Sequence, residues 1–167
     1  MEPSLQQLPP LILIGAVFLF AMAMVGRQGG RREAVISDLP SNAVRSTVVA
    51  LLLVAAVAHI PVIPEHLEEA PYMGFLFIAF TVVSFGVATM LAARPSPTWY
   101  LVASGLCVAA VGAYVATRLV AFPQLADDVG LWAEPLGLVS ISAESAAVAL
   151  SLLALRVRSQ SYATATI

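Results

Sequence analysis

The sequence contains no lysine, a single cysteine and few charged residues. Its eight positive charges are all arginines, and charged residues make up 11% of the 167 residues, against about 25% in soluble domains. Without lysine, the chain cannot form the Schiff base of retinal or pyridoxal phosphate, nor a Walker-A phosphate site. The lone Cys107 excludes an intrachain disulfide and a thiolate metal cluster. A net charge of −2 leaves no basic surface for nucleic acid.

Apolar residues, in contrast, make up 60% of the chain, compared with about 45–50% in soluble domains. A helix needs about 20 predominantly apolar residues to cross a bilayer, and five segments approach or exceed that length: residues 8–26, 43–63, 71–93, 98–122 and 131–155. The sequence therefore predicts an all-α integral membrane bundle of five transmembrane helices. They form a single domain over residues 1–167, with the lipid bilayer as its surroundings.

The charges alternate between the two sides of this predicted bundle. Arginines follow the first, third and fifth segments, at Arg27, Arg31, Arg32, Arg94, Arg156 and Arg158. Acidic residues occupy the other loops, at Glu65, Glu68, Glu69, Asp127 and Asp128. Because arginine-rich loops stay in the cytoplasm, we expect the N-terminus outside and the C-terminus in the cytoplasm. The lysine-free, alanine- and arginine-rich composition favours a bacterial protein of the cytoplasmic membrane.

Three ionisable residues fall inside the predicted helices, and all are reached from the acidic side. His59 and Arg118 lie about 6 Å below that side, and Glu144 lies roughly 18 Å below it, from the helical rise per residue. Ionisable groups in membrane helices usually face a protein interior or a wet cavity. Small and hydroxyl residues recur at helical spacing beside them, which is typical of helix–helix contacts in membranes.

These observations predict a polar ligand pocket that opens on the outer side. Its expected members are His59, Thr81, Ser84, Tyr114, Arg118, Ser140 and Glu144. Structural alternatives remain for each ionisable group. Arg118 could pair with Asp127, Asp128 or Glu134, His59 could be a neutral interhelical residue, and Glu144 could be hydrogen-bonded to Ser84 or Tyr114.

A cluster of histidine and carboxylate residues on the acidic side suggests a divalent metal site. Imidazole and carboxylate groups suit several transition metals, and the candidate ligands are His66, Glu69, Asp127, Asp128 and His59. Pro61 and Pro64 argue against one continuous helix joining the two histidines. The alternative is a solvated acidic surface. Haem is disfavoured, because both histidines lie on one segment and would not clamp a porphyrin from two sides.

Three functions are compatible with this pattern. The first is binding of a metal ion or small polar ligand by the outer cluster and the pocket. The second is an accessory subunit of a larger membrane complex, or a homo-oligomer, whose acidic loops contact a partner. The third is a membrane-embedded enzyme in which Glu144 acts as acid or base, assisted by Tyr114 or His59, on a lipophilic substrate.

Overall fold

The structure is a computed structural model that describes the backbone of residues 42–164 and the side chains of residues 42–157. In this range every regular element is helical, which confirms the all-α prediction there. The helices are α1 (Asn42–His59), α2 (Ile63–Glu69), α3 (Pro71–Ala93), α4 (Pro97–Leu119) and α5 (Pro135–Thr164). The predicted helix at residues 8–26 lies outside the described residues, so the count of five spans stays a prediction.

Four helical segments of this range are long and apolar enough to cross a membrane. They are Asn42–Glu69, Pro71–Ala93, Pro97–Leu119 and Pro135–Val157. Helices α3, α4 and α5 each begin with proline, because the first turn of a helix has no internal partner for a backbone N–H and tolerates its loss. Helix α3 has the bounds that the sequence predicts.

The first described span is longer than predicted, and the expected break at its prolines is wrong. A 3-10 turn at Ile60–Val62 joins α1 to α2, so the helical path continues to Glu69 rather than ending at residue 63. Pro61 and Pro64 lie in the first turns of the 3-10 segment and of α2. At those positions the missing N–H breaks few hydrogen bonds, and the chain stays helical.

The last span begins four residues later than predicted, at Pro135 instead of residue 131, and α4 ends at Leu119 instead of residue 122. Glu144 is therefore nine residues into α5, about 14 Å from the helix start, and not as deep as the sequence suggests. The connection between α4 and α5 is correspondingly longer and contains a 3-10 turn at Ala126–Asp128.

The spans run in alternating directions, which gives the bundle an acidic end and an arginine end. The acidic end contains α2, the start of α3 and the 120–134 loop, and the arginine end contains Arg45, Arg94 and Arg156. The span formed by α1 and α2 packs against both α3 and α5, and α5 packs against α4, whereas α3 and α4 meet less closely. Most of the buried core lies toward the arginine end, including Val48, Leu52, Leu91, Tyr100, Cys107, Ala147 and Ala154.

Candidate functional site

A cavity of about 790 Å³ lies between the spans in the half toward the acidic end. This volume falls within the range of small-molecule sites, about 300–1,000 Å³. Most of its lining is apolar, so the structure corrects the expectation of a polar pocket. The polar groups form two clusters, one around Glu144 and one around Arg118.

The cavity reaches the surface of the described residues sideways, between α3 and α4. Its lining includes Ala79 of α3 and Val108 and Gly112 of α4, and all three are exposed. A Cβ atom added to Gly112 would meet no atom of another described element within 4 Å. Gly112 lies seven residues before the end of α4, about 10 Å along the helix. In the part of the chain that the structure describes, this exposed part of the lining therefore lies at a depth where lipid chains would lie.

Small and large side chains both line the cavity where α3 and α4 separate. Residues with small side chains recur at helical spacing along its cavity side, at Gly105, Ala109, Gly112 and Ala116. The opposite wall carries Phe77 and Phe80 of α3. Small residues permit close helix contact in membranes, but here their side of α4 lines the cavity, and α3 and α4 meet less closely than the other neighbouring spans.

The cluster around Glu144 is the inner one, and hydrogen-bonded side chains connect α1 to α5 there. Glu144 is 1% exposed, and it accepts a hydrogen bond from the Ser140 hydroxyl, Oγ to Oε1, at 2.8 Å. The Ser140 Oγ lies 3.4 Å from Nδ1 of His59. That same Nδ1 is 2.8 Å from the carbonyl oxygen of Ala55.

This geometry assigns the tautomer of His59. A carbonyl oxygen only accepts hydrogen bonds, so Nδ1 must carry a proton and donate it to Ala55. In the neutral ring Nε2 is then left with a lone pair. Glu144 in its ionised form also offers only acceptors. His59 and Glu144, which both line the cavity, therefore offer hydrogen-bond acceptors.

Two aromatic rings contact the histidine of this cluster. The His59 ring lies 4.9 Å from the Phe77 ring and 4.6 Å from the Phe80 ring, measured between centroids. His66 also contacts Phe77, at 4.9 Å. Because the helical path is continuous, the two histidines lie on one face and flank Phe77.

At the outer cluster, Arg118 holds the 120–134 loop and the start of α5. Its guanidinium group binds Asp128 at 2.9 Å and Glu134 at 2.8 Å, and it lies 4.7 Å from the centre of the Tyr114 ring. The Tyr114 hydroxyl donates to the carbonyl oxygen of Trp132 at 3.0 Å. Arg118 thus combines both roles considered from the sequence: it lines the cavity, and it is paired with acidic residues.

Five of the seven predicted pocket residues line the cavity: His59, Tyr114, Arg118, Ser140 and Glu144. The other two belong to helix contacts. The Thr81 hydroxyl faces the carbonyl oxygen of Ala56 at 3.5 Å. Ser84 is fully buried, and its hydroxyl has no hydrogen-bond partner within the described part of the chain. It lies one turn further toward the arginine end than Phe80.

The structure does not bring the predicted metal ligands together. Within residues 42–157, no three His, Cys, Asp or Glu side chains form a group that could hold a metal ion. His66 donates its Nδ1 proton to Val62 at 2.8 Å, and Asp128 is paired with Arg118. Glu69 and Asp127 are exposed. The acidic residues are distributed over separate segments, as the solvated-surface alternative expects.

Two features of the site were not predicted: the apolar walls and the glycine beneath Tyr114. A Cβ atom on Gly137 would lie 2.6 Å from Cε2 of Tyr114, so this glycine makes room for the ring. Reasoning from polar residues alone did not identify Phe77 and Phe80 as walls. The signal that was present is the run of small residues on one face of α4, at Gly105, Ala109, Gly112 and Ala116.

Together, the four apolar spans define the chain as a multi-pass membrane protein. Comparison with protein-family models, with curated proteins and with solved structures finds no match. What the protein does must therefore be inferred from the cavity and from the side chains that line it.

Proposed function

We propose that the protein binds a lipophilic molecule that carries a hydrogen-bond donor. The observation that supports this most directly is the sideways opening between α3 and α4, which leads to a largely apolar cavity with acceptor groups at Glu144 and His59. An apolar molecule dissolved in the bilayer would reach such an opening without passing through water. A few fixed polar groups in an apolar pocket orient a ligand and give it specificity.

We further propose that the acidic end faces the outside of a bacterial cell and that a fifth span precedes α1. Arg45, Arg94 and Arg156 all belong to the opposite end, and arginine-rich ends are retained in the cytoplasm. Single-cysteine variants at Asp127 and Arg94, in a Cys107→Ala background, test this in intact cells. A membrane-impermeant maleimide should label position 127 and not position 94, and the reverse result would contradict the proposed orientation.

The binding proposal is tested with radiolabelled dodecanol and the purified full-length chain in detergent, measured by scintillation proximity. Dodecanol has an apolar chain and one hydroxyl donor. The Gly112→Leu variant should weaken binding by about tenfold, or about 1.4 kcal/mol, because the new side chain enters the open part of the cavity. Its melting temperature should be unchanged, since no atom of another helix in residues 42–157 lies within 4 Å of the added Cβ.

Gly86→Leu is the matched control. For Gly86 too, no atom of another helix among the described residues lies within 4 Å of an added Cβ, and this glycine lies on α3 but does not line the cavity. It should leave dodecanol binding unchanged. If the wild-type protein does not bind dodecanol, or if both variants bind it as the wild type does, the cavity is not a binding site for this class of molecule.

Acid–base catalysis on a lipophilic substrate is a second candidate, and the row from His59 through Ser140 to Glu144 favours it. The Tyr114 hydroxyl donates to the carbonyl oxygen of Trp132, so this candidate mechanism gives the acid–base role to Glu144 with His59. Incubating the wild-type protein and a Glu144→Gln variant with a bacterial lipid extract distinguishes the candidates. A product that forms only with the wild type, seen by mass spectrometry, supports catalysis, and identical extracts argue against it.

A further inference from the structure

The charges that line the cavity are unequal in number and unequally paired. Among the residues that the structure describes, three carboxyl groups line it, from Asp128, Glu134 and Glu144, together with a single guanidinium group, from Arg118. Arg118 already binds Asp128 and Glu134 at 2.9 and 2.8 Å. An anionic ligand would therefore meet a cation whose two terminal nitrogens are occupied, and it would add to an excess of negative charge.

Glu144 is the carboxyl group without a cationic partner. It is 1% exposed, and its hydrogen bond is the one from the neutral hydroxyl of Ser140. No arginine or histidine nitrogen of residues 42–157 lies within ion-pair distance of it. An ionised carboxylate in an apolar interior is costly unless a positive charge lies beside it. A bound cation would supply the charge that this part of the chain does not.

The groups around Glu144 are suited to a positive charge. The Nδ1 proton of His59 is committed to Ala55 at 2.8 Å, so the neutral ring offers only the Nε2 lone pair to a ligand. Phe77 and Phe80 stand beside that ring and line the same cavity. Faces of aromatic rings attract cations, most strongly where water is excluded.

From this arrangement we propose that the ligand is a lipophilic amine, bound as its ammonium ion. Its charged nitrogen pairs with the Glu144 carboxylate and donates to Nε2 of His59, and its apolar chain lies between α3 and α4. This inference rests on the proposed function, because it specifies the class of molecule that occupies the same cavity. It excludes fatty acids and other lipophilic anions as the preferred ligands.

The test compares three molecules with the same chain length, dodecylamine, dodecanol and dodecanoate, on the full-length protein at pH 7. Binding of each radiolabelled compound is measured by scintillation proximity. Dodecylamine should bind at least about tenfold more tightly than dodecanol, and dodecanoate should bind more weakly than either. The Glu144→Gln variant should lose the preference for the amine and keep its affinity for dodecanol, which also shows that the variant is folded.

Asp127→Asn is the matched control, because it removes an exposed carboxylate from the acidic end by the same change of acid to amide. It should keep the amine preference of the wild type. Equal binding of amine and alcohol by the wild type would overturn the inference while leaving the proposed function intact. A Glu144→Gln variant that still prefers the amine would also overturn it. Failure of all three compounds to bind would instead reject the proposed function itself.

Discussion

The two halves of the bundle use the same spans but pack them in different ways. Toward the arginine end, Leu52, Leu91 and Tyr100 are fully buried among small residues, and the helices close around them. Toward the acidic end, α3 and α4 separate around a cavity of about 790 Å³. The comparison shows that apolar composition makes each helix suitable for the membrane but does not determine where neighbouring helices close on each other and where they leave a cavity.

Polar side chains follow the same division. We call the half toward the arginine end the closed half and the half toward the acidic end the open half. In the closed half, Ser84 and Ser151 are fully buried, and their hydroxyls have no hydrogen-bond partner among the described residues. Their small volume, rather than their hydroxyl group, suits them to these positions. In the open half, Ser140 donates to Glu144 and lies close to His59. Serine thus serves as a small side chain that permits close packing at the arginine end and as a hydrogen-bonding group at the acidic end.

Shortening a leucine side chain should destabilise the protein most when the leucine lies in the closed half. Leu52→Ala should destabilise the protein by about 2 kcal/mol, because the cavity that the substitution leaves costs about 24 cal/mol per Å³. The transfer contribution is absent here, because lipid chains are as apolar as leucine. Leu76→Ala, in the cavity lining, should cost less than half as much, since it enlarges a space that already exists. Unfolding by titration with SDS measures both, and equal costs would show that the two halves pack alike.

Replacing glycine by valine should have different effects on stability at two positions of the open half. Gly137→Val should destabilise the protein by about 1–3 kcal/mol, the usual cost of overpacking, because its Cβ would lie 2.6 Å from the Tyr114 ring. Gly112→Val should be tolerated, as its Cβ meets open space. Melting temperatures of the two variants provide the measurement. A stable Gly137→Val variant would mean that the ring of Tyr114 does not rest on α5.

The sequence predicts the helices far better than it predicts the space between them. The bounds of α3 follow from an uninterrupted apolar run between Pro71 and Arg94. The continuation through Pro61 and Pro64 could not be inferred, because a proline breaks a helix or begins one according to its neighbours in the fold. His59, Ser140 and Glu144 were predicted as pocket residues, since buried polar groups are rare in membrane helices. The apolar walls were not, because phenylalanine and glycine are ordinary residues anywhere in such a helix.

The last comparison is between two serine residues. Ser140→Ala should destabilise the protein by about 1–3 kcal/mol, the cost of leaving a buried polar group unsatisfied, because Glu144 loses its donor at 2.8 Å. Ser84→Ala should change the stability by close to zero, since its hydroxyl has no partner among the described residues to lose. Both substitutions remove one oxygen atom from a buried helical position, so differences in helix propensity and side-chain volume cancel. SDS titration of the pair isolates the hydrogen bond, and equal stability of the two variants would mean that Glu144 does not depend on Ser140.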